Sequence, residues 1–304
     1  MSVAEDTRYN DIQFVLAEPS DPLRHGLMGM LRSQGFRNLR CVGKIDELIE
    51  EVQAAPADLI AVSDTLGDEA FDCIRQIRHN MVGKNPFAVI TIMMSPDNDS
   101  GIRRAVTSGA DDVMLKPVAP GVIVDRAKKI AYHRTPFIAT TEYIGPDRRK
   151  GDRKSDIPLL QVVNTLKAKL DGKSVTADMV EKAVAAGFKS IRNAQLNSHG
   201  LRLGYVCNLI LKAYEANEIN AELKENLASL VQCLDEASAA AKEVDQPDLE
   251  DICKRMGQQI EELAKDYREP DERSLTLIRT LTKAFEMAKN SAAARQSKKA
   301  AQAG

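Results

Sequence analysis

Residues 88–117 read AVITIMMSPDNDSGIRRAVTSGADDVMLKP, and this stretch decides the fold class of the first half of the chain. The apolar run Ala88–Met94 is followed by a helical pattern, Gly101–Ser108, and then by a second apolar run, Val113–Leu115. Short aliphatic runs flanked by polar or turn residues are typical of strands buried on both faces of a parallel sheet. The stretch therefore predicts a strand–helix–strand unit.

The same alternation extends towards the N-terminus and just beyond residue 117. Further strands are predicted at Ile12–Leu16, Leu39–Val42 and Leu59–Val62. Further helices are predicted at Pro22–Arg32, Ile45–Gln53, Phe71–Asn80 and Val122–Tyr132. Strands that alternate with helices of this length indicate an α/β fold with a doubly wound parallel sheet.

Polar residues follow four of the predicted strands. Glu18, Asp64, Ser95 and Lys116 come within two residues of the ends of these strands, and Pro117 follows Lys116. In open α/β sheets the functional site lies beyond the carboxyl ends of the strands. A carboxylate can attack a phosphoryl group if a cation offsets the clustered negative charge. These residue types in this order therefore favour phosphoryl chemistry.

The ordered set resembles the receiver domain of two-component response regulators over residues 10–133, and Gly109-Ala110-Asp111-Asp112 adds to the resemblance. It implies a flavodoxin-like sheet of five parallel strands, with Asp64 as phosphoryl acceptor and Ser95 and Lys116 binding the phosphoryl group. It implies Mg²⁺ held by Glu18 and Asp64, and a cis bond before Pro117 is expected. A histidine kinase or phosphotransfer protein is the implied phosphodonor partner.

Two positions depart from the receiver pattern. Pro19 stands where receivers usually carry a second acidic residue, so Mg²⁺ binding is expected to be weak. Val113 stands where the switch aromatic residue usually lies. The departures leave a second hypothesis open, in which the chain is a phosphorylation-independent adaptor with a degenerate receiver.

The second half of the chain has helical apolar spacing and no convincing strand. The apolar sets Leu223/Leu227/Leu230/Leu234, Leu249/Ile252/Met256/Leu263 and Ile278/Leu281/Phe285 each predict one helix face. The predicted domains are a receiver over 1–133, a Gly/Pro linker over 134–156, an all-α bundle for output or dimerisation over 157–289, and a flexible tail over 290–304. Gly200 and Gly204 are expected to bend or split the long helical pattern before residue 216. Homodimerisation and an unidentified output protein are the expected partners of the bundle.

The linker is basic, since five of the eight residues from Asp147 to Lys154 are Lys or Arg. Arg148, Arg149 and Arg153 are candidates for binding an anion or a nucleotide. The spacing of Arg149 and Arg153 resembles the RxxxR motif with which PilZ domains bind cyclic di-GMP, but the companion motif and a following β-barrel are missing. A solvated basic linker is the simpler interpretation.

His199 is the only other candidate for phosphoryl chemistry. Histidine phosphotransfer bundles carry a histidine on a helix with Lys three residues later; here Arg202 takes that place and the following glycine is displaced by one. An ordinary interhelix or surface histidine is the simpler interpretation. Nucleotide-binding and hydrolase motifs are missing, so the chain is expected not to be an enzyme.

Composition narrows the class of protein. The 304 residues carry a net charge of −2, so no overall field draws the chain to DNA or to anionic membranes. No run approaches the ~20 apolar residues of a membrane span. The five cysteines lie far apart, which favours reduced thiols. A cytoplasmic protein without membrane contact is expected, and nucleic-acid binding is not supported.

Overall fold

The computed structural model describes residues 9–96, 98–149, 157–243, 245–270, 272–281 and 283, apart from the side chains of residues 99 and 100. The chain divides into two compact units. They are Met1–Arg153 with Leu159–Ile191, and Lys154–Pro158 with Arg192–Gly304. None of the described helices has an apolar stretch long enough to cross a membrane.

The first unit is built on a five-stranded sheet in which all neighbouring strands are parallel, in the order β2-β1-β3-β4-β5. The strands are β1 (Phe14–Ala17), β2 (Leu39–Val42), β3 (Leu59–Ser63), β4 (Val89–Met94) and β5 (Asp112–Leu115). The helices are α1 (Asp21–Ser33), α2 (Ile45–Ala54), α3 (Asp68–Arg78), α4 (Asp99–Thr107) and α5 (Pro120–Tyr132). This order is that of the flavodoxin-like doubly wound fold, so the fold class predicted from the sequence is confirmed.

The burial of the strands explains why their sequences are almost continuously apolar. Every residue of β1, β3 and β4 is buried, because helices cover both faces of the sheet. The edge strands β2 and β5 include exposed positions. Ala17 pairs with Val42 and with Val62, and Met94 pairs with Leu115, so these strands end at one edge of the sheet.

A β-hairpin occupies the described part of the segment predicted as a linker. Strands β6 (Phe137–Ala139) and β7 (Ile144–Pro146) pair in antiparallel fashion, and every residue in them is buried. A Cβ atom on Gly145 would lie 2.8 Å from the Cα atom of Gly109. Gly145 therefore permits a close backbone approach, and the compact unit continues beyond residue 133.

Buried charges fix this hairpin region to the sheet. Arg78 is fully buried and donates hydrogen bonds to the carbonyl oxygens of Gly109, Pro86 and Ala88. Its Nη2 lies 2.7 Å from Asp111 Oδ2, and Arg134 Nε lies 2.8 Å from Asp111 Oδ1. Arg78, Asp111 and Arg134 are called the arginine network below. It ties α3, the loop before β5 and the start of the hairpin segment into one buried cluster.

Helix α6 (Thr165–Leu170) also belongs to the first unit, although the bundle was predicted to begin at residue 157. Leu166 and Leu170 join the apolar cluster beneath one face of the sheet. Lys169 Nζ lies 2.6 Å from Asp58 Oδ2, and the Asp58 side chain is only 1% exposed. A buried ion pair with apolar surroundings anchors this helix to the sheet region.

The remaining helices are α7 (Ala177–Glu215), α8 (Ala221–Glu243) and α9 (Pro247–Lys265), and residues 272–281 are helical too. The helix is not split at Gly200 and Gly204, because α7 runs through both positions. The buried side chains of Leu203 and Cys207 on the same turns of α7 add packing energy that offsets the low helix propensity of glycine.

Helix α8 buries the face that its sequence predicts. Four leucines on that face are fully buried: Leu223, Leu227, Leu230 and Leu234. Helix α9 differs, because Ile252 is 49% exposed while Cys253, Gly257 and Ile260 are buried. The inward face of α9 is set partly by small residues, which a pattern of large apolar residues does not reveal. Phe285 lies outside the described residues.

Candidate functional site

Asp64 is placed at the carboxyl edge of the sheet by the strand that precedes it. It begins a short 3₁₀ helix, Asp64–Leu66, directly after β3, and its side chain is 2% exposed. The hydroxyl of Ser63 caps this helix by accepting a hydrogen bond from the Thr65 amide. The carboxylate is thereby presented at the end of a rigid buried strand.

The Asp64 carboxylate accepts three hydrogen bonds from the segment that follows β4. Oδ2 accepts one from the Ser95 amide and one from Asn98 Nδ2, both at 2.9 Å. Oδ1 accepts one from Ser95 Oγ at 3.0 Å. The predicted neighbour Ser95 is therefore in contact with Asp64, and Asn98 joins the site as a residue that the sequence analysis missed.

Lys116 supplies the positive charge of the site. Its Nζ lies 3.2 Å from Glu18 Oε2 and 3.6 Å from Asp64 Oδ1. The same ammonium donates hydrogen bonds to the hydroxyls of Ser63 and Thr65. The cis peptide bond between Lys116 and Pro117 confirms the expectation from the sequence. The structure thus brings together Glu18, Asp64, Ser95 and Lys116, which lie far apart along the chain.

The electrostatic balance keeps Asp64 ionised. Burial raises the pKa of its carboxyl group, but the hydrogen bonds from Asn98 and Ser95 and the charge of Lys116 together hold that pKa below its usual value of 3.8. At neutral pH the side chain is therefore a carboxylate, the form that can act as a nucleophile.

We expect stability to contain an acid-sensitive contribution from Asp64. Because its folded-state pKa is depressed, the contribution is present above the usual value of 3.8 and is lost as the pH falls through the folded-state pKa. The loss in free energy of unfolding between neutral pH and the most acidic pH at which the protein folds should be smaller in Asp64→Asn than in wild type. Equal losses, measured by urea titration, would contradict this.

Glu18 has one carboxylate oxygen that makes no hydrogen bond and faces Lys116. Its Oε1 accepts a hydrogen bond from the Ser20 amide at 3.0 Å, whereas the buried Oε2 has no hydrogen-bond partner. Mg²⁺ is commonly held by one or two carboxylates together with water and substrate phosphate, so Glu18 and Asp64 fit a weakly bound ion. Pro19 adds no side-chain oxygen, and no group of three His, Cys, Asp or Glu side chains suited to a metal occurs in the described part of the chain.

A mostly apolar pocket of about 420 Å³ opens beside the charged residues. Ser95 and Lys116 contribute to its wall, so the pocket is continuous with the phosphoryl-binding side chains predicted from the sequence. Its other lining residues are Leu23, Leu27, Met93, Pro96, Pro117 and Val118.

The basic segment has internal partners where it is described. Arg148 Nη2 donates hydrogen bonds to the carbonyl oxygens of Ala110 and Asp111, at 2.5 and 3.1 Å. Arg149 forms a two-pronged ion pair with Asp147, with both hydrogen bonds at 2.7 Å. Arg153 lies outside the described residues. Nucleotide binding by this segment stays a prediction, and two of its three candidate arginines already bind oxygens of the same chain.

His199 lies between helices of the second unit. It is 7% exposed, and its Nδ1 lies 3.7 Å from Glu236 Oε2 on α8. Burial lowers the pKa of the ring, although the charge of Glu236 opposes that shift. A phosphotransfer histidine has to be reached by a partner, so this placement favours the simpler interpretation of an interhelix histidine.

Asn98 could have been found in the sequence only as a helix cap. It stands directly before α4 and its Oδ1 accepts a hydrogen bond from the Gly101 amide at 2.9 Å, as N-cap residues do. Its second contact, with Asp64, joins residues 34 positions apart. No local pattern encodes that contact.

No family model and no curated protein matches the chain. Among solved structures, a receiver domain protein (CheY-like) of Methanospirillum hungatei is 13% identical, covering 39% of this chain and 91% of its own, with a TM-score of 0.35. Chemotaxis response regulator CheY4 of Vibrio cholerae is 17% identical, with coverages of 39% and 98% and a TM-score of 0.35. Response regulator DrrB of Thermotoga maritima is 14% identical, with coverages of 60% and 89% and a TM-score of 0.36. At these identities the comparison concerns the fold alone, and the strand order of the first unit already establishes that fold.

Proposed function

We propose that this chain is a response regulator of a bacterial-type two-component phosphorelay in which Asp64 accepts the phosphoryl group. One observation carries the proposal. Lys116 Nζ lies within 3.2 Å of Glu18 and 3.6 Å of Asp64 Oδ1, and Ser95 Oγ donates to that same oxygen at 3.0 Å. A carboxylate nucleophile, a cation and a hydroxyl donor thus meet at one point.

The chemistry follows from these positions. An oxygen of the Asp64 carboxylate forms a bond to phosphorus, and the bond from phosphorus to the donor's leaving atom breaks, with the leaving group keeping the electron pair. Lys116 then pairs with a phosphoryl oxygen, and the Ser95 hydroxyl donates to another. Glu18 and Asp64 would hold Mg²⁺, which would offset negative charge on the transferring group.

The partners follow from the same chemistry. The phosphodonor is a phosphohistidine on a histidine kinase or a phosphotransfer protein, and the helical region acts by contact with an output protein or a second copy of the chain. We propose that the chain has a regulatory role in the cytoplasm and does not turn over a metabolite.

Phosphorylation of Asp64 is tested with acetyl phosphate or phosphoramidate, Mg²⁺ and intact-mass spectrometry. We expect one added phosphate on the wild type and none on Asp64→Asn, since an amide is a poor nucleophile. Asp72→Asn is the matched control, because the Asp72 side chain is 52% exposed and pairs with Arg75 of the same helix, α3. The proposal is refuted if the wild type gains no phosphate, or if Asp64→Asn gains the same phosphate as the wild type.

A second candidate function is a phosphorylation-independent adaptor. The observation in its favour is that Ser95 and Asn98 bind the Asp64 carboxylate through three hydrogen bonds, which a phosphodonor would have to compete with. Pro19, which stands where receivers usually carry a second acidic residue, also favours the adaptor function. In that case the wild type gains no phosphate, and Asp64→Asn keeps its cellular function.

A further inference from the structure

Asn98 joins the acceptor carboxylate to helix α4 through the two ends of one side-chain amide. Its Nδ2 donates to Asp64 Oδ2 at 2.9 Å, and its Oδ1 accepts from the Gly101 amide at 2.9 Å. The amide plane is therefore held from both ends, and Asn98 cannot turn without losing one of these bonds.

Helix α4 is itself anchored, so the backbone of Asn98 at its N-terminus is held in place. Arg104 in α4 forms an ion pair with Asp68 at the start of α3. The Arg104 guanidinium also lies 5.0 Å from the centre of the Phe71 ring. Since α4 is tied to α3 in this way, the cap residue Asn98 meets the carboxylate from a defined direction.

The hydrogen bonds distinguish the two oxygens of Asp64. A carboxylate oxygen has two lone pairs. Oδ2 accepts two hydrogen bonds, one from the Ser95 amide and one from Asn98. Oδ1 accepts one hydrogen bond from the described residues, that of Ser95 Oγ, and it is the oxygen nearest to Lys116.

We propose that Asn98 is a positioning residue which turns Oδ1 of Asp64 towards Lys116 as the attacking oxygen, by holding Oδ2 on the side of helix α4. Oδ1 then forms the bond to phosphorus beside Lys116, and Oδ2 becomes the carbonyl oxygen of the acyl phosphate. This assignment rests on the proposed function of Asp64 as acceptor.

Gly101 offers a way to move Asn98 without replacing it. A Cβ atom at Gly101 would lie 2.5–2.6 Å from Nδ2, Cγ and Oδ1 of Asn98, so the Asn98 side chain has to leave its place in Gly101→Ala. Alanine is the better helix former, and this gain offsets the cap hydrogen bond that α4 loses when Asn98 moves. Gly121→Ala is the matched control, because Gly121 also lies in the first turn of a helix and its Cβ would meet no atom within 4 Å.

The experiment compares wild type, Asn98→Ser, Gly101→Ala and Gly121→Ala. Serine keeps the cap of α4 but is too short to reach Asp64 as Asn98 does. With acetyl phosphate and Mg²⁺, we expect phosphorylation to be about tenfold slower in Asn98→Ser and in Gly101→Ala, because a carboxylate that is free to turn presents Oδ1 beside Lys116 for less of the time. Gly121→Ala should match the wild type.

A spectroscopic readout separates positioning from a general loss of structure. In Gly101→Ala the side-chain amide resonance of Asn98 should move towards that of a solvent-exposed amide, while backbone resonances of β3 and β4 stay in place. Phosphorylation of both variants at the wild-type rate, or faster, overturns the role of Asn98 and leaves Asp64 as acceptor. If the wild type itself gains no phosphate, the proposed function fails and this assignment fails with it.

Discussion

In Asp111→Asn we expect the free energy of unfolding to fall by about 3–5 kcal/mol, the usual cost of breaking a buried ion pair from one side. The Asp111 carboxylate is 2% exposed and compensates Arg78 and Arg134 at once. Its Oδ2 also accepts a hydrogen bond from the Ile90 amide at 2.9 Å. An asparagine would turn an amide group towards donors and leave two buried guanidinium groups with too little negative charge.

The adjacent residue supplies the control. Asp112 pairs with Arg126 at the surface, where the two side chains are 21% and 46% exposed. Such pairs contribute about 0–1 kcal/mol, so Asp112→Asn should remain close to the wild type. Urea unfolding of both variants, with slopes compared to verify two-state behaviour, measures the difference. Equal stabilities of the two variants would show that the arginine network does not hold the fold.

Burial of the arginine network shifts the pKa values of its charged groups. Desolvation lowers the pKa of Arg78 to about 10 in spite of the nearby Asp111 carboxylate, so the guanidinium stays protonated at neutral pH. For Asp111, burial raises the pKa, but Arg134 and Arg78 outweigh it and hold the pKa below its usual value. Both partners therefore stay charged, which is why removing one of them is expected to be so costly.

Gly109→Ala is expected to destabilise the protein almost as strongly. Gly109 has a φ of +91°, and a Cβ there would lie 2.4 Å from the carbonyl oxygen of Ile144 and 3.0 Å from Arg78 Cγ. Overpacking of a tight contact costs about 1–3 kcal/mol, and a left-handed backbone adds about 1–2 kcal/mol for an L-residue. The hairpin would have to move away from the loop before β5.

Gly26→Ala is the control for this substitution. A Cβ at Gly26 in α1 would meet no atom within 4 Å, and alanine gains about 0.5–1 kcal/mol over glycine inside a helix. Thermal unfolding should therefore show a lower midpoint for Gly109→Ala and an unchanged or higher midpoint for Gly26→Ala. A midpoint for Gly109→Ala at or above the wild type would mean that the hairpin does not approach the loop this closely.

Asp111 and Gly109 both contact the segment after residue 133, which the sequence predicts to be a linker. Pro136, Gly145 and Pro146, together with the basic residues after them, predict a linker. In the structure, Phe137 and Ile144 are buried and Arg148 binds carbonyl oxygens of the loop before β5. The contacts of Arg148 join residues 37 and 38 positions apart, which explains why local composition could not reveal them.

The sequence by itself determined the α/β fold of the first unit and four members of the candidate site. Glu18, Asp64, Ser95 and Lys116 each follow a strand of the sheet, and the carboxyl ends of parallel strands meet at one edge, so local patterns were sufficient. Only the tertiary structure decided that Asn98 contacts Asp64, that Oδ1 and Oδ2 differ in their partners, and that the segment after residue 133 is packed into the first unit. These features depend on side chains from distant parts of the chain meeting in one buried place, which no spacing along the sequence encodes.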